Sequence, residues 1–121
     1  MITCFSFTVP IPPSLNKVYP TNQKTGSRHD SKAVKSYKKL IYEFFLLHKC
    51  KTFKNEIELW FHFAFPDNRW RYLSNYIKVL EDCLVENKII EDDHLVNLLV
   101  CSRLKIDKEN PHVNVIIYGE V

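Results

Sequence analysis

The chain has 121 residues, 45% of them hydrophobic and only two of them glycine, which suits one domain with one core and leaves no length for a second. No stretch approaches the roughly 20 apolar residues of a membrane span, and MITCFSFTVPIPP lacks the basic start and small-residue cleavage site of a signal peptide, so a cytoplasmic protein without a membrane partner is expected. The net charge of +3 is uneven: residues 1–51 carry nine Lys/Arg against two acids, and residues 52–121 carry eight against twelve, giving a pole suited to phosphate backbones and an acidic one able to hold cations.

Residues 2–9 alternate Thr3, Phe5, Phe7 and Val9 against Cys4, Ser6 and Thr8, the period of a half-buried strand that ends at Pro10. The stretch PIPPSLNKVYPTNQKTGSRHD, at about 10–30, is a long polar connection with four prolines and three basic residues. Loops of that length are uncommon in compact domains, and this one is a candidate DNA-contacting arm. From Ser31 the pattern turns helical. Val34, Tyr37, Ile41, Phe44 and His48 form a stripe widened by Leu40, Phe45 and Leu47, with Asp30 or Ser31 as cap and Lys32, Lys35 and Lys39 off the stripe.

Residues 54–66 alternate again, Ile57, Leu59, Phe61, Phe63 and Phe65 inward and Glu56, Glu58, Trp60 and His62 outward, until Pro66 stops the strand. A second helix is expected from about Ser74 to Glu86, capped by Ser74 and burying Ile77, Leu80 and Leu84. After the turn NKIIEDD, Leu95 to Leu104 reads as a long strand. KIDKENPH is a hairpin-like connection to a last strand marked by Val113, Val115 and Ile117. The order β-α-β-α-β-β predicts an α/β fold, a mixed sheet with both helices on one face, over a single domain spanning 1–121.

Cys4, Cys50, Cys83 and Cys101 are far apart, contain no CxxC pair and sit among apolar residues, which reads as buried thiols rather than a zinc site. His29, His48, His62, His94 and His112 are equally scattered and are expected to be structural. The remaining chemistry lies in the acids and in NRWRYLSNYIK, residues 68–78. Cutting a phosphodiester with Mg²⁺ needs several carboxylate oxygens converging on one point. Glu91, Asp92 and Asp93 form such a run at a turn, where acids are more often solvated surface than ligands. Between Arg71 and Lys78 there is no acid at all.

PIPPSLNKVY, FPDNRWRYLSNYIKVLEDCL, KIIEDDHLV and KENPHVNVII, in that order and spacing, resemble the RusA-type Holliday junction resolvases over essentially the whole chain. The resemblance implies a homodimeric, Mg²⁺-dependent nuclease of recombination and repair that binds four-way DNA junctions. In that motif the arginine run is followed by Asp-Leu-Asp-Asn, a lysine three residues on, and a downstream double aspartate. Arg69 and Arg71 match the basic approach, Leu73, Asn75 and Lys78 match in turn, and Asp92 and Asp93 match the downstream pair, with Asp93 in the catalytic place. Tyr72 and Ser74 stand where two metal-binding aspartates belong, and both are neutral near pH 7.

Mg²⁺ binding through Asp93 and Asp92 is therefore expected to be weak or absent. The leading expectation is a junction binder deficient in cleavage. Asn16, Lys17, Lys24, Arg28, Lys32, Arg69, Arg71, Asn75 and Lys78 would contact DNA, and Tyr19, Trp70 or Tyr72 would stack on unpaired bases. Each aromatic also has a plain reading: Trp70 packs beside the start of the helix, and Tyr72 fills the space of the lost site. One alternative is a still-active Mg²⁺- or Mn²⁺-dependent junction endonuclease that uses Asp92, Asp93 and Asp67, with Lys78 stabilising the developing charge. Another is a module repurposed to bind or inhibit a protein partner.

Overall fold

The computed structural model describes residues 1–14, 31–48 and 51–121. Along it run β1 (Thr3–Val9), α1 (Lys32–Leu47), β2 (Ile57–Ala64), α2 (Ser74–Glu86), a 3₁₀ turn (Asp93–Leu95), β3 (Val96–Arg103) and β4 (His112–Gly119). The order is the expected one, and the fold is α/β with a mixed sheet. The strands lie in the sequence β1-β4-β2-β3, with β4 antiparallel to both β1 and β2 and with β3 parallel to β2.

Strict alternation decides which sheet face is buried. Ile57, Leu59, Phe61 and Phe63 of β2 and Val113, Val115 and Ile117 of β4 point to the same side. They join Val34, Tyr37, Ile41 and Phe45 of α1 and Tyr76, Val79, Leu80, Cys83 and Leu84 of α2 in one apolar cluster. Both helices therefore cover one face of the sheet. Among the described residues no helix is long and apolar enough to cross a membrane.

Ser31 caps α1, its Oγ accepting from the Val34 N–H at 3.3 Å. Asp30, the other expected cap, lies outside the described residues. The buried stripe turns toward Phe45, which meets Phe7 edge-on at 5.0 Å. Phe44 is half-buried, while Leu40, Leu47 and the expected stripe member His48 are exposed. Tyr37 donates its hydroxyl to the Pro10 carbonyl at 2.6 Å, which ties the helix to the chain leaving β1, and burial pushes the phenol's pKa far up.

The second helix has the expected bounds but a different start. Ser74 is its first residue rather than its cap. Leu73 precedes it in helical conformation with no side-chain cap, and the Asn75 and Tyr76 N–H groups reach back to the Tyr72 and Leu73 carbonyls at 3.1 and 3.0 Å. That is a tight 3₁₀-type first turn. The buried face is also rotated, centred on Tyr76, Val79, Leu80 and Cys83, and the expected core residue Ile77 is only half-buried. At the other end Lys88 takes φ 57°. The Ile89 N–H bonds the Leu84 carbonyl at 2.9 Å and the Lys88 N–H bonds that of Val85 at 3.1 Å, the double closure of a Schellman motif. Phe53 then pairs with the emerging chain through the Ile89 carbonyl and the Glu91 N–H, both at 2.9 Å.

The segment between the last two strands is not a hairpin, because β2 lies between β3 and β4. It passes over the end of β2, where the Leu104 N–H bonds the Phe63 carbonyl at 2.7 Å and the Asp107 N–H bonds that of Phe65 at 2.9 Å. The thiols are less uniformly buried than expected. Cys83 is in the core, but Cys101 is half-buried and Cys4 exposed, since Cys4 falls on the outward phase of β1. Cys50 lies outside the described residues.

Candidate nucleic-acid interface

The stretch that links β2 to α2 is organised by Asp67. Its carboxylate accepts from the Arg69 N–H at 3.0 Å, closing an Asx-type turn. It also pairs with Arg71 Nη1 at 2.8 Å. The Arg71 guanidinium lies over the Phe65 ring, 4.8 Å from its centroid, and donates to the Asp67 carbonyl at 3.2 Å. From the neighbouring strand end, Arg103 donates through Nη2 to the Arg71 carbonyl. The hydrogen bond from Arg71, followed by that from the Arg69 backbone, holds the Asp67 carboxyl below its ordinary pKa.

The two arginines of this loop are thus differently employed. Arg71 has only 15% of its side chain exposed, whereas Arg69 has 81%. Trp70 and Tyr72 also project outward, 86% and 63% exposed, with ring centroids 6.3 Å apart. Trp70 does not pack beside the helix start, and Tyr72 does not fill a buried space. Loop and strand end together line an open cavity of about 560 Å³ bordered by Phe65, Asp67, Arg69, Trp70, Arg103 and Ile106, among others.

Lys78 and Asp93 come together at 3.9 Å. Lys78 also pairs with Asp82 at 3.0 Å, one helical turn on. The carboxylate of Asp93 thus meets α2 one turn beyond its start. Asp92 is turned to other work: it caps the 3₁₀ turn, one oxygen accepting from the Asp93 N–H at 2.8 Å and the other bonded to His94 Nδ1 at 2.5 Å. The His94 contact is the main cause that lowers its pKa. Glu81, half-buried beside this group, has its pKa raised by burial, then by Asp93, with Lys78 opposing.

Among the described residues no three His, Cys, Asp or Glu side chains converge as metal ligands would. Asp93 faces an ammonium, Asp92 is occupied by His94 and the backbone, and Asp67 is held by arginines in the loop. Tyr72 and Ser74 offer no negative charge. Of the other expected DNA contacts, Lys32 is exposed at the first residue of α1 and Asn75 is half-buried in the first turn of α2. Asn16, Lys17, Lys24, Arg28 and the stacking candidate Tyr19 lie outside the described residues.

Sequence reasoning missed Arg103. It closes an apolar strand run, and its nearness to Arg71 depends on the parallel pairing that sets Phe63 beside Arg103. No local signal encodes that register.

The family model described as Endodeoxyribonuclease RusA matches residues 10–118, nearly the whole length. No curated protein matches the chain. The chain belongs to the RusA endodeoxyribonuclease family, whose members normally depend on a divalent metal and bind branched DNA, and this membership supports a Holliday-junction-resolvase-like role in DNA recombination.

Proposed function

We propose that this RusA-family chain binds four-way DNA junctions in recombination and repair, as a cytoplasmic homodimer, and that it is deficient in cutting them. One observation carries the reading: neutral Tyr72 and Ser74 occupy the acidic positions of the family motif, while the Lys78 ammonium lies 3.9 Å from Asp93, the matched acid in the catalytic place. Two negative charges that would draw a divalent cation are missing from those positions, and the third acid stands beside an ammonium that also pairs with Asp82 at 3.0 Å. The same change favours binding. Carboxylates repel phosphates, so their removal leaves Arg69 and Lys78, with Lys32 and the basic stretch at 10–30, acting on the DNA backbone with less opposition. A two-fold dimer suits the two-fold symmetry of the junction.

The test is a titration of the protein against a labelled four-way junction and a duplex of equal length, in EDTA, in Mg²⁺ and in Mn²⁺, read for both mobility shift and nicking. A junction-preferring shift without nicks in all three conditions is expected. Symmetric cuts near the crossover would instead establish a working endonuclease, and equal affinity for duplex would end the junction reading.

A further inference from the structure

We propose that the cavity between the Asp67–Arg71 loop and the end of β3 is a pocket for one unstacked nucleotide of a DNA strand, with Arg103 and Arg69 on its phosphate and Trp70 against its base. The proposal rests on the reading of the chain as a junction binder and adds to it a residue, Arg103, and a defined ligand.

The cavity lies where β2 and β3, the parallel pair, both end at their carboxyl termini, the side of an α/β sheet on which ligands collect. Its volume of about 560 Å³ is within the range of about 300–1,000 Å³ for small-molecule sites. Its lining has two chemistries. Phe65, Leu104, Ile106 and Trp70 form apolar surface, and Arg69, Arg71 and Arg103 bring three guanidinium groups. Asp67 is the one acid among the lining residues, and its carboxylate is already paired with Arg71 at 2.8 Å and with Arg69 at 3.7 Å. The excess of positive charge excludes a metal ion or an amine as ligand.

Arg71 is committed to the loop and to Phe65. Arg103 uses Nη2 on the Arg71 carbonyl, one of five donors that a guanidinium carries, and Arg69 is largely in solvent. A bare phosphate would need only these cations. A phosphate joined to a flat ring uses the exposed indole and the apolar wall as well, which is how sequence-tolerant sites hold single strands. Unstacking costs least for a nucleotide that has no base-pair partner.

Tryptophan emission gives the readout, since Trp70 is 86% exposed and the other tryptophan, Trp60, is half-buried on a strand position facing away from the helices. The probes are a ten-nucleotide oligothymidylate and an abasic oligomer of equal length. Oligothymidylate should quench the emission and bind about tenfold tighter than the abasic strand, the effect of one stacked base. In Trp70→Leu, followed by polarisation of a labelled oligomer, that difference should vanish. Arg103→Gln should weaken both oligomers about fivefold or more. Because Arg103 also braces the loop, Ile106→Asp, which places a negative charge on the exposed apolar wall and removes none of the hydrogen bonds made by or to Arg71, serves as a second variant and should weaken both as well.

The pocket is refuted if the two oligomers bind the parent protein equally, or if Arg103→Gln and Ile106→Asp both bind like the parent. Junction preference over duplex persisting in that event would leave the proposed function standing. Loss of junction preference with the oligomer difference intact would overturn the function and keep the pocket.

Discussion

At the scale of single residues, what decides the chemistry is which charges are present and what each one already touches. Supplying the two acids as Tyr72→Asp with Ser74→Asp should reverse the proposed deficit. Calorimetry is expected to show Mg²⁺ binding in the double variant where the parent shows none, and junction nicking should appear with it; a variant that still ignores Mg²⁺ would mean that Asp93, one turn further on at Lys78, is misplaced for a metal. Glu81 gives a second prediction. Its folded pKa is raised, so between the ordinary value of 4.5 and the raised one the folded chain keeps a proton that the unfolded chain has lost. The contribution of Glu81 to stability is then greatest below 4.5 and falls as pH rises through that window. Glu81→Gln should raise the denaturation midpoint at pH 7 and flatten its fall across the window, and equal midpoints for variant and parent at pH 7 would refute the account. The residues at issue were visible in the sequence through the motif they interrupt. Their partners were visible only in part: Lys78 with Asp82 follows from helical spacing, while the capture of Asp92 by His94 depends on a 3₁₀ turn that no periodicity announces.

Elements were legible where one face is apolar and the ends are marked. Pro10 and Pro66 bound two strands, the alternation of β2 predicts its buried face residue by residue, and α2 runs from Ser74 to Glu86 as its pattern requires. Two features were not legible. The apolar residues of α2 spread over more than half of its circumference, so the sheet it packs on, not its own periodicity, selects Tyr76 and Val79 over Ile77. The connection after β3 looks like a hairpin because turn-forming residues join two strands, yet such residues serve a crossing over a third strand equally well. The end of α2 shows local and tertiary demands in conflict. Lys88 occupies the left-handed position of a Schellman motif, where a side chain bears about 1 kcal/mol of steric cost that glycine avoids. The conformation is kept because Ile89 and Ile90, immediately after it, are buried at 2% and 0% exposure. Lys88→Gly is expected to stabilise the protein by roughly 0.5–1 kcal/mol, measurable as a higher urea midpoint with an unchanged slope. A lower midpoint would show that the lysine side chain contributes more than its backbone costs.

For the whole molecule the governing property is the separation of charge. A basic half carrying +7 and an acidic half carrying −4 would give weak, diffuse attraction to DNA if the cations were evenly solvated, and a steep salt dependence if they are gathered on one phosphate track. The expected cationic contacts, Lys17, Lys24, Arg28, Lys32, Arg69, Arg71 and Lys78, predict a slope of log K against log salt of about −6 per protomer, from roughly 0.9 per neutralised phosphate. The structure divides that set. Arg69, mostly in solvent, should behave as a phosphate ligand, so Arg69→Ala should reduce the slope by about 1 and leave thermal stability unchanged. Arg71, clamped between Asp67 and Phe65, should act through the fold. Arg71→Ala should lower the melting temperature, because the loop loses its ion pair and its stacking contact together, and its effect on DNA affinity should exceed what its share of the slope accounts for. Measuring junction affinity across a salt series for the parent and both variants, with melting curves on the same preparations, separates the two roles. If Arg71→Ala melts like the parent and changes the slope as Arg69→Ala does, the loop is not held by that guanidinium and both arginines serve only the DNA.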